Sequence, residues 1–342
     1  MTDNKYFYIY PFCFITKGVR FFSIYDSLHN KIHQFDIDLY DIANNQFREK
    51  TVNNIFNQYN SEDKNVIQSF ISYLAENKLG RYVDNIQHFP LLKEQWDAPY
   101  KIKRCIIDVR DVWHNFDLIF MQLAELLCPK IELRVYRPIK LEEIESVVRS
   151  FQKFDFGILF LLIPFRDELF MDESIEKLSN ILSSEFRIII NVYDTPSSKE
   201  LIAKNAKEKF RELDYSITTS TKKISGRDDC GVINHKKFHE LDIAEIMENK
   251  HHSGCLNRLI SIDEDGLIRN CPSMPVSYGH VNTTSLLDIS KNDEFRKFWY
   301  ISNSKIKVCK DCDLRIICQG CRAYLSDSSN LFSKPLKCDY IP

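Results

Sequence analysis

The sequence predicts an α/β protein of several domains, and three observations carry that prediction. Aromatic and β-branched runs crowd the first ninety residues, apolar runs alternate with amphipathic stretches between about 100 and 225, and eight of the eleven cysteines lie beyond residue 229. With 342 residues and 44% hydrophobic content the chain can bury a sizeable core in two or three domains. The formal charge of −2 provides no electrostatic footprint for non-specific nucleic-acid or membrane binding. The N-terminus MTDNKYFYIY begins polar, without a basic stretch followed by an apolar one, and the longest apolar run, FGILFLLIPF, is about half a membrane span. A cytoplasmic location is expected, with neither nucleic acid nor membrane as partner.

Residues 1–90 read as a module of their own. YFYIYPFCFI, VRFFSIYD and KIHQFDIDLY, separated by turn residues, predict three strands in a meander. Two helical stretches follow, TVNNIFNQYN and SEDKNVIQSFISYLAENKLG. In the second, Val66, Phe70, Ile71 and Leu74 fall at helical spacing, Ser61 caps the start and Gly80 closes the end. RYVDNI adds a short strand, and the whole predicts a winged-helix-like module. VNNIFNQYN is poor in Lys and Arg, which argues against a DNA-binding use of such a module.

Over 91–229 the pattern changes to alternation. KIKRCIIDVR, KIELRVYR, FGILFLLIPF, FRIIINVYD and DYSITTS read as strands. FDLIFMQLAELL, LEEIESVVRSFQ, ESIEKLSNILSS and SKELIAKNAKEKFREL read as the helices between them. Near-continuous apolar strands between amphipathic helices are what buried parallel strands require, and a partial (β/α) barrel is expected.

Residues 230–342 lose regularity and gain cysteines. Cys255, Gly266 and Cys271 form C-x10-G-x4-C, Cys309, Cys312, Cys318 and Cys321 form C-x2-C-x5-C-x2-C, and Cys338 follows. Gly266 in IDEDGLI permits the tight hairpin turn that returns Cys271 beside Cys255. Clustered cysteines in a reducing compartment point to metal rather than disulfides, and eight thiols, with Cys230 counted, supply two tetrathiolate sites. Spacing alone leaves zinc and iron–sulfur open. Cys13, Cys105 and Cys128 sit amid apolar sequence and read as small buried hydrophobes. KKFH and the pair His251 and His252 read as solvated polar sequence, and no GxxxxGK[ST], GxGxxG or HExxH is present.

The cysteine order, with CPSM after the hairpin, YGHVNTTSLLDI beyond it, FRKFW before the paired cysteines and CRAY at the end, resembles the SPASM domain of peptide-maturing radical SAM enzymes. SGCLNRLISIDEDGLIRNCPSM with CKDCDLRIICQGCRAY is more similar still to the SPASM-domain maturase of grasp-with-spasm systems, which accompanies an ATP-grasp ligase that cross-links a ribosomally made peptide. The resemblance implies two [4Fe–4S] clusters, one on Cys309, Cys312, Cys318 and Cys338, the other on Cys255, Cys271 and Cys321. Two residues, not the commoner three, separate Cys318 from Cys321. For the fourth ligand of the second set Cys230 is the candidate, with His251, His252 or an open iron position as alternatives.

Radical SAM members of that family hold a third cluster on CxxxCxxC after the first barrel strand. Here the corresponding loop reads DVWHNFD and no CxxxCxxC occurs, so SAM cleavage is not expected. The N-terminal module in turn resembles the PqqD-like elements that bind a leader peptide as an added strand. On that resemblance KIHQFDIDLY is the receiving strand, with Ile37 and Leu39 on it and Phe70 and Leu74 forming an apolar wall. The function expected is that of an accessory maturation protein for a ribosomally synthesised, post-translationally modified peptide, which binds the leader and works with an ATP-grasp ligase. The alternatives are a redox or substrate-binding iron–sulfur enzyme acting on a peptide and a zinc-stabilised scaffold.

Overall fold

The computed structural model describes residues 4–93, 98–170, 172–196, 217–234 and 241–342. The chain divides into two compact units, neither continuous in sequence. The first comprises residues 1–97, 233–254 and 301–342, the second 98–232 and 255–300. The C-terminal segment expected as one domain from residue 230 is thus shared between them. The structure is mixed α/β, and among the described residues no helix is long and apolar enough to cross a membrane.

In the first unit the run expected as a single opening strand is two, β1 (Tyr6–Ile9) and β2 (Cys13–Lys17). Pro11, which lacks an N–H, sits in a turn closed by Cys13 N–H on Tyr10 O at 3.0 Å. β3 (Phe21–Asp26) and β4 (Lys31–Asp36) complete an antiparallel meander in the order β2-β3-β4, and β1 pairs separately with β5 (Gly80–Val83). The helix Ser61–Glu76 starts because the Asn60 side chain accepts from Asp63 N–H at 2.9 Å, with Glu62 and Asp63 in its first turn. Its buried stripe is Ile67, Phe70, Ile71 and Leu74, while Val66 is exposed.

Period-2 alternation gives the meander two covered faces. Cys13, Phe22 and Ile24 pack with the stripe of helix Ser61–Glu76, and Phe14 and Tyr25 pack with Leu241, Ile246, Met247, Leu314, Ile316 and Ile317. The second set of partners comes from the far C-terminal part of the chain.

The second unit is built on a seven-stranded sheet in the order β10-β9-β8-β7-β6-β11-β12. Its strands are β6 (Arg104–Val109), β7 (Lys130–Val135), β8 (Ile158–Pro164), β9 (Ile188–Tyr193), β10 (Ile217–Thr219), β11 (Leu259–Ile262) and β12 (Ile268–Arg269). β6 to β10 are parallel in sequential order, β11 adds parallel to β6, and β12 returns antiparallel. The helices Phe116–Glu125 and Leu141–Phe151 pack with Ile107, Leu133, Leu161 and Ile190 in one core. The opposite strand positions carry charge: Asp108 and Arg134, both buried, pair at 2.7 and 3.1 Å. The expected helix SKELIAKNAKEKFREL lies outside the described residues, as does KKFH.

Candidate metal centre

The thiols of Cys309, Cys312, Cys318 and Cys338 line one cavity in the first unit, with Ile233 and Val308 among its walls. Short-range turns bring the first three together. Cys312 N–H closes a 3-10 turn on Cys309 O at 3.0 Å, and Ile317 N–H bonds Leu314 O at 3.2 Å. The Asn303 amide donates to Arg315 O at 2.9 Å and Cys318 O at 2.6 Å, and the Asn249 amide to Ile316 O at 3.0 Å. These side chains stand in for the backbone partners that an irregular, buried segment lacks. Gly320, at φ +62°, lies where an added Cβ would overlap the Asn303 amide. Cys338 arrives from elsewhere, through a parallel bridge with Ile233 in which Ile233 N–H bonds Lys337 O at 3.0 Å.

The meander fixes this segment from beneath. Ser23 Oγ donates to Asp313 O at 2.6 Å, and the Asp313 carboxylate accepts from Gln34 Nε2 at 2.7 Å and Tyr340 Oη at 2.8 Å. The Arg315 guanidinium donates to Cys312 O at 2.9 Å and to Lys17 O. Gly18 lacks the Cβ that would stand 2.9 Å from Asp313 N.

Burial pushes the Cys312 and Cys318 thiols up to about 12 and raises Cys309 as well. Backbone N–H groups oppose this, from Leu314 to Cys312 Sγ at 3.4 Å and from Gly320 to Cys318, as do the cations Arg322 and Lys334 beside Cys309. Without metal these sulfurs keep their protons at neutral pH, so a metal must displace them on binding. Four cysteines lining one cavity, N–H···S donors and two nearby cations fit a thiolate-bound iron–sulfur cluster. Among the described residues no three His, Cys, Asp or Glu side chains are gathered into a single-ion site.

In the second unit Gly266, at φ +83°, turns the β11–β12 hairpin as expected from sequence, and the Asp263 carboxylate braces it by accepting from Leu267 N–H at 2.8 Å and Arg269 Nε at 2.6 Å. Cys255 and Cys271 flank that hairpin. Half-buried Arg104 lies among Cys255, Glu132, Cys271 and Cys230; desolvation lowers its pKa, and the neighbouring thiols and carboxylate reverse that to a net rise. Arg227 Nη1 bonds Pro272 O at 3.2 Å and Ser273 Oγ bonds Arg227 O at 3.1 Å, which ties the segment before Cys230 to that after Cys271. Cys321 belongs to the first unit, as do His251 and His252 at the end of helix Ile243–His251. Cys13, Cys105 and Cys128 are buried.

The residues expected to contact a peptide are placed differently from the expectation. β4 ends at Asp36, whose carboxylate accepts from Asp38 N–H at 3.1 Å and starts a 3-10 turn, so Ile37 and Leu39 lie in that turn and not in a strand. Phe70 and Leu74 are 4% and 0% exposed, with Phe70 edge-on to Phe35 at 4.9 Å, so they belong to the core. Sequence reasoning missed Arg104, Asp108 and Arg134; charges at alternate positions within otherwise apolar strands were the available signal.

Residues 255–313 match the SPASM family, described as an iron–sulfur cluster-binding domain, a span that holds Cys255, Cys271, Cys309 and Cys312. Comparison with curated proteins returns no match. Comparison with solved structures returns none either.

Proposed function

We propose that this chain is an accessory maturation protein for a ribosomally synthesised, post-translationally modified peptide. It holds iron–sulfur clusters without cleaving SAM, binds the leader of the precursor and works beside an ATP-grasp ligase. The observation that carries the reading is the convergence of Cys309, Cys312, Cys318 and Cys338 on one cavity, beside a segment that matches an iron–sulfur domain. Those four residues would hold one [4Fe–4S] cluster, and a second falls to the set that the resemblance assigns. A cluster supplies a one-electron couple, or a structural cross-link where no electron partner approaches. In this reading the sequential parallel strands β6 to β10 are a degenerate radical SAM partial barrel, and the meander with its helices is the winged-helix-like, PqqD-like element.

Zinc is the sharpest competitor, and the match of residues 255–313 to an iron–sulfur cluster-binding domain favours the cluster. The test is metal and sulfide analysis of protein purified without oxygen. On the order of eight iron and eight acid-labile sulfide per chain are expected from two such clusters; stoichiometric zinc with no sulfide after anaerobic reconstitution would sink the reading.

A further inference from the structure

In the first unit β1 and β2 border a groove that is separate from the thiol cavity. Its 190 Å³ of free volume suits a few side chains of a passing chain better than a buried cofactor. Phe7, Ile9 and Ile15 line it, and the register shows what their backbones offer. In β1, Tyr10 N–H bonds Leu79 O, and the pairs Tyr8 with Arg81 and Tyr6 with Val83 keep that phase. Antiparallel ladders bond alternate residues, so Phe7 and Ile9 turn their N–H and C=O groups away from β5, and of the two only Ile9 is not fully buried. In β2, Gly18 N–H bonds Phe21 O and Ser27 N–H bonds Phe12 O, which leaves Ile15 turned away from β3. Such edges are templates for an added strand.

The side chains say what kind of strand. Leu91 and Leu92 stand on the groove at 72% and 43% exposure, an apolar rim left in water. Arg48 and Lys250 also line it, and among the described residues no carboxylate does. The Arg48 guanidinium donates to Phe89 O at 2.6 Å and forms no ion pair with any described residue.

We propose that this groove takes an extended peptide segment in which apolar and acidic side chains alternate, added as a strand along these free edges. Backbone groups of Ile9 and Ile15 pair with the peptide, Leu91 and Leu92 cover its apolar side chains, and Arg48 meets its carboxylates. The proposal rests on the reading of a peptide partner given above, and it supplies a site other than Ile37, Leu39, Phe70 and Leu74.

The test uses full-length protein purified without oxygen and a fluorescein-labelled peptide of isoleucines alternating with glutamates, followed by fluorescence anisotropy. Saturable binding is expected. It should weaken by about tenfold or more when the glutamates become lysines, when alternate peptide nitrogens are methylated, and in Leu91→Asp, since each change removes at least one charge-assisted or backbone contact or the apolar cover. Arg48→Glu should reverse the preference between the glutamate and lysine peptides. Equal binding of methylated and unmethylated peptides, or indifference to both Arg48→Glu and Leu91→Asp, overturns the proposal. A precursor leader bound equally well by the wild type and by the Arg48→Glu, Leu91→Asp double variant sinks the groove and leaves the maturation reading standing. Binding of the alternating peptide with no recognition of any precursor leader supports the groove and sinks that reading.

Discussion

Asn303 is a single side chain on which the geometry of three thiols depends. Its amide satisfies the carbonyls of Arg315 and Cys318, and Gly320 leaves it room. Asn303→Leu removes both hydrogen bonds and leaves buried acceptors, at a cost of about 1–3 kcal/mol for an unsatisfied group. Urea unfolding of the anaerobic protein should show that loss, together with lower iron retention; unchanged stability and metal content would contradict this role. His33 gives a pH-dependent counterpart away from the thiols. Its ring is buried against Tyr73, with Nδ1 2.9 Å from Tyr73 Oη and Nε2 without a partner among the described residues. Burial holds its pKa below the ordinary histidine value, with Asp26 opposing and Lys31 assisting. A depressed folded-state pKa stabilises the protein above the unfolded value of about 6.5, and that contribution is lost as pH falls through the folded value. His33→Asn should therefore show a flatter fall in stability than the wild type below about pH 6.5; identical pH profiles from urea titrations would rule the contribution out.

At the scale of elements, the β2–β4 meander was legible because its period-2 alternation is plain, and helix Ser61–Glu76 because its apolar stripe is local, although the cap is Asn60 and not the expected Ser61 and Val66 faces solvent. What sequence could not show is the second face of that meander. Phe14 and Tyr25 are covered by Leu314, Ile316 and Ile317, which come from the same irregular segment as the cysteines. The break at Pro11 and the end of β4 at Asp36 were missed for a related reason, since a continuous run of β-formers hides a turn whose signals are one proline and one capping carboxylate. The shared face couples the cradle to the sheet. Cys312 packs on that cluster, and Asp313 beside it holds Ser23 and Gln34. Cys312→Ser should remove one cluster and loosen the elements resting on it. Hydrogen exchange at Ser23, Tyr25 and Gln34 should accelerate relative to the wild type while that at β7 and β8 stays unchanged. Iron loss with exchange unaltered in β3 and β4 would show that the cradle and the meander are independent.

At the scale of the whole molecule, the chain order conceals the architecture. Segments 233–254 and 301–342 belong to the unit begun by the N-terminus, and 255–300 belongs to the unit built on the parallel strands. Hydrophobic periodicity located nearly every strand of the second unit, because parallel strands buried under helices read as apolar runs wherever they occur. It gave no sign that the Cys255 to Cys271 hairpin would extend the same sheet, since β11 pairs with β6 across about 150 residues of sequence. The charged face of that sheet bears on whether SAM could be cleaved. Ligands of open α/β sheets meet the carboxyl ends of the parallel strands. At that end of β6 the chain continues as Arg110 to Asn115 without a cysteine, while Asp108 is engaged by Arg134 and by Tyr136 Oη at 3.4 Å. Burial raises the Asp108 pKa and Arg134 opposes the rise, so this carboxylate is committed to an internal pair. A SAM-cleaving cluster needs three thiolates close together at such a loop, and the residues there provide arginine, carboxylate, tryptophan and histidine instead. Reduced protein incubated anaerobically with SAM, with and without a precursor peptide, should therefore form no 5′-deoxyadenosine. Turnover that scales with protein and disappears when iron is removed would defeat this expectation.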